Sequence, residues 1–410
     1  MPRSKLTLRT RRSGRRPGLA VLGAPPRFSE RVHVGRPNLG DRRAFLSRVA
    51  DMLNRRWLSN DGPFVKELEA RLADLVGVKH CVAMCNATIA LEIAARALDL
   101  KGEVLLPSFT FIATAHALQW QGITPVFVDI DPRTHNIDPT AIERHITART
   151  TGIVGVHLWG RPCDTAALEA IAARHHLTHF YDAAHAFACS HGGRMIGGFG
   201  ACEVFSFHAT KFLNSFEGGA VVTNDADLAH SMKLMRNFGF VDYDRVDYIG
   251  TNGKMSEICA AMALVSLDAL PDFIAINRRN YEAYGQGLRG LPGLSCVRYD
   301  PAERNNYQYV VVEVDPGAAP LQRDELIAVL QAENVLARRY FWPGCHRMEP
   351  YRSLQPETGA RLPETERIAS RVLVLPTGQA VTRGTVGTIC DILASAFDQA
   401  GQIRAKLSGK

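Results

Sequence analysis

The lysine at position 211 sits in the stretch Ser206-Phe-His-Ala-Thr-Lys-Phe-Leu-Asn-Ser-Phe-Glu-Gly-Gly219. A charged lysine is costly to bury. Burial among small and apolar residues drives its pKa down, toward a neutral and nucleophilic amine. Such an amine forms Schiff bases with carbonyl compounds. The alternative is a solvated lysine at the end of a strand, the ordinary fate of this residue type. The rest of the chain must decide between them.

One carbonyl compound that such a lysine holds is pyridoxal 5'-phosphate (PLP). PLP needs an acid for its pyridine nitrogen, a cradle for its phosphate and a flat surface against its ring. Each has a candidate. Asp182 closes the run His179-Phe-Tyr181, at the sheet edge where open α/β folds bind ligands; as Asp before Ala-Ala it also suits a helix cap. Cys85-Asn-Ala-Thr-Ile-Ala-Leu91 reads as a turn opening a helix. Free amides there, with the Thr88 hydroxyl, form a phosphate site, although an Asn or Thr cap accounts for the same residues. Ser206 offers another hydroxyl. Pro107-Ser-Phe-Thr-Phe-Ile-Ala-Thr114 follows a strand, so Phe111 can stack on a ring from a loop or fill a core. The glycine-rich Gly192–Gly200 lacks the strand-to-helix setting of a dinucleotide fingerprint and reads as a hairpin loop.

These residues must be held by a fold. Short apolar runs alternate with helical stretches between about residues 80 and 225. The runs include Glu103–Leu106, Pro125–Val128, Gly152–Val156 and Ala220–Val222, with helices at 113–121, 139–145 and 165–175. Alternation of this kind predicts an α/β fold with a mostly parallel sheet covered by helices. After Leu291-Pro-Gly-Leu294 the order becomes strand (307–314), helix (324–332), strand (335–337), strand (372–375) and a last helix (385–399). The expected organisation is a basic, disordered extension at 1–18, a large α/β domain at 19–290 and a smaller α+β domain at 291–410.

Composition narrows the partners. The formal charge is +7, and seven basic residues with no acid fall between Arg3 and Arg16. The remainder holds 41 basic and 41 acidic residues, so the basic balance belongs to the tail and nucleic acid is not an expected partner. No apolar run reaches the length of a membrane span, and no membrane association is expected. Nine cysteines without a Cys-x-x-Cys pair predict reduced thiols in a cytoplasmic protein. Cys345-His346 has no second ligand pair nearby, and no metal site is expected.

Asn86-Ala-Thr88, Pro107–Phe111, Asp182-Ala-Ala-His185 and Ser206–Lys211 resemble, in that order, the PLP-dependent sugar aminotransferases of the DegT/StrS type. The resemblance runs from about residue 20 to 400. It implies the fold type I architecture, with a mostly parallel seven-stranded sheet. It also implies roles. Lys211 binds the cofactor aldehyde and shuttles protons, and Asp182 pairs with the pyridine nitrogen. His185, where many members have Gln, lies near the ring hydroxyl. Phe111 stacks, while Ala87, Thr88 and Ser206 take the phosphate. Ala87 stands where Gly is common in that family. Gly250-Thr-Asn-Gly-Lys254 resembles the segment that reaches a neighbouring subunit's phosphate site through Asn252 or Lys254, implying a homodimer with shared active sites.

Gly155–Pro162, Asn305–Tyr309 and Tyr340–Tyr351 further resemble the dTDP-4-keto-6-deoxyglucose 4-aminotransferases of desosamine-type pathways. That likeness implies L-glutamate as donor, a dTDP-keto sugar as acceptor and pyridoxamine phosphate (PMP) between the half-reactions. It directs Trp57, Asn60, His157, Glu217, Tyr307 and His346 toward substrate. The alternatives are a related PLP enzyme acting at C3 or on a GDP- or UDP-keto sugar, and a non-catalytic regulator of the same fold.

Overall fold

The computed structural model describes residues 18–409; the basic run from Arg3 to Arg16 lies outside them. Seven strands form the main sheet: β1 (His80–Met84), β2 (Glu103–Pro107), β3 (Thr124–Val128), β4 (Thr150–Val156), β5 (Thr178–Asp182), β6 (Glu203–Ser206) and β7 (Gly219–Thr223). Their order across the sheet is β1-β7-β6-β5-β4-β2-β3. Only β7 runs against its neighbours, pairing antiparallel with both β1 and β6. The others are parallel, as the alternation of runs and helices predicts.

Alternate residues of one strand enter different cores. Cys81 and Ala83 of β1 join the cluster of Phe205, Ala220 and Val222 on one face, while Val82 and Met84 join Val204 and Val221 on the other. Such strands are buried on both sides, so they read as continuous apolar runs. The crossover helices have clear local signals. Thr165–His175 starts where Asp164 accepts the Ala167 amide at 3.0 Å and ends at His176, φ 53°. Gly192 and Gly193, φ 58° and 74°, form the turn of the expected hairpin between Ser190–His191 and Arg194–Met195.

The C-terminal unit is a three-stranded antiparallel sheet (Leu294–Cys296, Val310–Val314, Val372–Leu375) with helices Arg323–Ala332 and Arg383–Asp398. Its core joins Val312, Leu326, Leu373, Ile389 and Leu393. Leu19 is buried in the same core, and Val32–His33 pairs in parallel with Val335–Leu336. The segment that precedes the large sheet therefore packs on the smaller unit. The helix Leu270–Gly287 ties the two together, with the Tyr284 hydroxyl donating to the Pro376 carbonyl at 3.0 Å. The strand expected from residue 307 begins at Val310, because Asn305 and Asn306 are spent on anchoring. Their side-chain amides donate to the carbonyls of Gly160, His185 and Phe187. The last helix is followed by one more, Ala400–Leu407.

Candidate active site

A cavity of about 660 Å³ opens at the carboxyl ends of β4, β5 and β6, under the C-terminal unit. Lys211 stands in the loop after β6. Its Nζ lies 3.3 Å from the Tyr309 hydroxyl, and burial lowers its pKa from 10.5 to about 8, an effect that the charge of Asp182 opposes. The amine is thus poised to be neutral just above physiological pH, as a nucleophilic lysine requires.

Asp182 ends β5 and is 6% exposed. No helix follows it, so it is not spent as a helix cap. Its Oδ2 accepts from the Thr114 hydroxyl at 2.8 Å and its Oδ1 from the Ala184 amide at 3.1 Å. Burial raises its pKa, and these two hydrogen bonds, then Lys211 and His157, work against that. A buried carboxylate this poorly compensated gains from a cationic partner in the cavity.

The phosphate candidates are held by the helix Ala87–Ala97. Asn86 caps it, its side-chain oxygen taking the Ile89 amide at 2.9 Å while its carbonyl takes that of Ala90. The amides of Ala87 and Thr88 are left without an acceptor among the described residues. Free amides at a helix start, with Thr88 and Ser206 facing the same cavity, suit a phosphate. Gly219 keeps this cradle open, since a Cβ there would lie 2.6 Å from the Ala87 nitrogen. That gives Gly219 of the Glu-Gly-Gly stretch a physical reason.

His185 is fixed on every side. Its ring lies near-parallel to those of Trp159 and Phe341, with centroids 5.8 and 5.9 Å away. Its Nδ1 accepts the Trp159 amide at 3.3 Å and its Nε2 lies 3.2 Å from the Tyr309 hydroxyl. Burial pushes its pKa well below the usual value, so the ring is neutral. Phe111 is 57% exposed and lines the cavity, free to lie against a ring.

The structure brings Ala87, Thr88, Phe111, Asp182, His185, Ser206, Lys211 and Glu217 to one cavity. It sets the other expected site residues elsewhere. His157 is fully buried behind the sheet, its Nε2 3.3 Å from Glu203. His346 is 2% exposed and bonded to Ser108 and Glu366. Tyr307, φ 49°, packs against Tyr281 and Tyr299. Trp57 donates to the Asn60 carbonyl, on the surface. Asn252 and Lys254 lie beyond the cavity wall, Lys254 4.5 Å from the centroid of the Phe238 ring. Sequence reasoning missed Thr114, His208, Tyr309, Arg338, Tyr340 and Phe341, which complete the walls or hold them. All but Arg338 lie within the stretches Pro107–Thr114, Ser206–Lys211, Asn305–Tyr309 and Tyr340–Tyr351, where residue type alone assigns them no role.

A lysine with a depressed pKa, a buried carboxylate and an open phosphate cradle, all on the carboxyl edge of a mostly parallel sheet, define a PLP-dependent aminotransferase of fold type I. More narrowly, the chain belongs to the DegT/DnrJ/EryC1/StrS aminotransferase family, whose pattern matches residues 41–394. A dTDP-4-amino-4,6-dideoxy-D-glucose transaminase of Shigella dysenteriae is 39% identical over 347 residues, 84% of this chain and 93% of that one. A GDP-perosamine synthase of Caulobacter vibrioides is 35% identical over 375 residues, 90% of this chain and 98% of that one. The crystal structure of DesI in the presence of its TDP-sugar product matches with a TM-score of 0.91 at 49% identity, covering 95% of this chain and 99% of DesI.

Proposed function

We propose that this enzyme moves an amino group from L-glutamate to C4 of dTDP-4-keto-6-deoxy-D-glucose, giving dTDP-4-amino-4,6-dideoxy-D-glucose for deoxyaminosugar synthesis. The observation that carries the reaction class is the meeting of Lys211, Asp182 and the free amides of Ala87 and Thr88 in one cavity. The sugar nucleotide is supported by the likeness to DesI and to the Shigella transaminase. A GDP-keto sugar is the second reading, favoured by the likeness to GDP-perosamine synthase.

PLP, when bound, would supply an aldehyde for the amino group and an electron sink. The chain supplies the rest. Lys211 Nζ takes the proton from the amino donor's α-carbon and returns it later in the transfer. Asp182 holds a proton on the ring nitrogen by its negative charge. Thr114 and the Ala184 amide keep that carboxylate aimed into the cavity. Neutral His185 donates its Nε2 proton to the Tyr309 hydroxyl and lines the cavity without adding positive charge. Ala87, Thr88 and Ser206 bind the phosphate.

The working form we propose is a homodimer in the cytoplasm. Trp57, Leu58, Phe238, Tyr243 and Ile249 are 44–98% exposed on the described chain, apolar surface of a kind that subunits cover. In that arrangement Asn252 or Lys254 reaches the partner's phosphate site. All nine cysteines are free, which suits a reducing compartment. Among the described residues no single helix is long and apolar enough to cross a membrane.

The test is the visible spectrum of the purified enzyme through two additions. L-glutamate should remove the cofactor's visible band, and dTDP-4-keto-6-deoxy-D-glucose should restore it. Loss without return would reject this acceptor and send the search to GDP-keto sugars. No band, even after PLP is added, would overturn the reading of Lys211.

A further inference from the structure

Two walls of the Lys211 cavity come from distant stretches of the chain. Thr110 and Phe111 follow β2, whereas Tyr340 and Phe341 belong to the C-terminal unit. The two walls meet, with the rings of Phe111 and Phe341 6.3 Å apart between centroids. Outside the cavity lining, the same two stretches are fastened together around His346.

Ser108 is fully buried and His346 is 2% exposed. The His346 amide donates to Ser108 Oγ at 3.1 Å, and that oxygen lies 2.7 Å from His346 Nδ1. Among the described residues the Ser108 hydroxyl is bonded to no other acceptor, so it donates to Nδ1. The ring's own proton is then on Nε2, which donates to Glu366 Oε1 at 3.0 Å. Burial pushes the pKa of the ring below the usual value, with Glu366 opposing, which keeps it neutral at physiological pH. Cys345 adds two ties. Its amide donates to the Ser108 carbonyl at 2.9 Å and its thiol to the Thr110 carbonyl at 3.4 Å. Gly344, φ 93°, leaves room for the ring, since a Cβ there would lie 3.0 Å from His346 Nδ1.

The fastened loop carries groups that the cofactor meets. Thr114 donates to Asp182 Oδ2 at 2.8 Å, so its oxygen is left to accept from the Thr110 hydroxyl at 3.0 Å. A shift of the loop therefore reaches the carboxylate through two threonines. We propose that His346 is a positioning residue for the cofactor ring: through Ser108 it sets the loop of Thr110, Phe111 and Thr114, and so fixes the aim of Asp182 and the place of the stacking ring. The proposal rests on the placing of the pyridine nitrogen at Asp182 given above.

A double-mutant cycle tests it. His346→Gln fills the core and keeps a donor for Glu366, but gives up the acceptor at Nδ1. Its kcat should fall by roughly 10- to 100-fold, the cost of a small misplacement in an active site, with KM for glutamate little changed. PLP uptake by the cofactor-free protein, followed by calorimetry, should weaken by about 10-fold, the worth of a hydrogen bond. His346→Asn, whose side-chain oxygen stands where Nδ1 does, should recover most of both. Ser108→Ala removes the same bond with one atom and should match His346→Gln. In Thr114→Val the link to Asp182 is already cut, so adding His346→Gln should lower kcat much less than it does in the wild type. Equal losses on the two backgrounds would make His346 a packing residue and overturn the proposal. So would equal losses in the Gln and Asn variants, or an unchanged kcat in Ser108→Ala. A wild type that takes up no PLP would sink the cofactor reading and the proposal with it; one that transaminates while the cycle is additive would sink the proposal alone.

Discussion

Strand β5 carries buried polar groups on both faces, and the two faces use them differently. Behind the sheet, Tyr181 stacks on His157 at 4.5 Å, and His157 lies 3.3 Å from Glu203. Both members of that pair are fully buried and tied to backbone. Glu203 accepts the amides of Gly197 and Phe199 at 2.7 and 2.8 Å, and His157 accepts that of Cys163 at 3.0 Å. In front, Asp182 has one hydroxyl and one amide, and faces a cavity with Lys211 across it. Burial alone does not mark a catalytic group. A buried acid enclosed by packed core holds the fold together, even though Glu203 Oε2 itself has no hydrogen-bond partner among the described residues. One that faces an open cavity with a lysine across it is available for chemistry.

Substitutions on the front face should cost activity before stability. Lys211→Ala has the largest expected effect: turnover falls to background because both the amine and the proton shuttle are gone. Near-normal turnover would remove the lysine from the mechanism. Asp182→Asn keeps the shape and deletes the charge. Its kcat/KM should fall by roughly 10²- to 10⁴-fold, while thermal stability holds or rises because an undercompensated buried charge has been removed. A large loss of stability with little loss of rate would make Asp182 a structural residue and erase the contrast between the faces.

The rear face should respond in the opposite order. Glu203→Ala leaves the Gly197 and Phe199 amides without an acceptor in the core. Each buried donor left unsatisfied costs about 1–3 kcal/mol, which a urea denaturation curve resolves. Stability close to wild type would show that Glu203 contributes little, and the comparison would then rest on the front face alone.

The sequence is legible where function and structure are local. The helix at 165–175 and the last strand at 372–375 fall where apolar pattern and caps put them. Lys211, Asp182 and the Asn86 turn announce themselves through short motifs next to strand ends. The rest is written in contacts between distant segments. Thr114 orients Asp182 from 68 residues away, and Tyr309 meets Lys211 from 98. The edge strand His80–Met84 escapes notice because its partner, β7, lies far along the chain. His157 shows how a single step misleads. It follows Val156, which lines the cavity, and alternation along a strand sends the next side chain to the other face. Histidines and aromatics also serve equally in cores and sites, so His346 and Tyr307 could not be placed by residue type.

The smallest expected effects concern how the front face tunes its lysine. In cofactor-free protein, a small aldehyde trapped by hydride reduction reports the neutral amine of Lys211. The trapping rate should rise with pH and level off above about 8, not near the ordinary 10.5, because burial disfavours the ammonium. Asp182→Asn should move that midpoint down, since the carboxylate supports the charged form. Tyr309→Phe should move it the same way by less. The Trp159 amide donates to His185 Nδ1, so neutral His185 carries its proton on Nε2 and donates it to the Tyr309 oxygen. That oxygen therefore acts as an acceptor, and the Lys211 ammonium donates to it at 3.3 Å. Removing one acceptor of ordinary strength is worth about 1 kcal/mol, or less than one pH unit. An upward shift would mean that the hydroxyl donates to the amine instead. His185→Gln separates the two cases, because an amide can still donate to Tyr309 and should leave the midpoint in place.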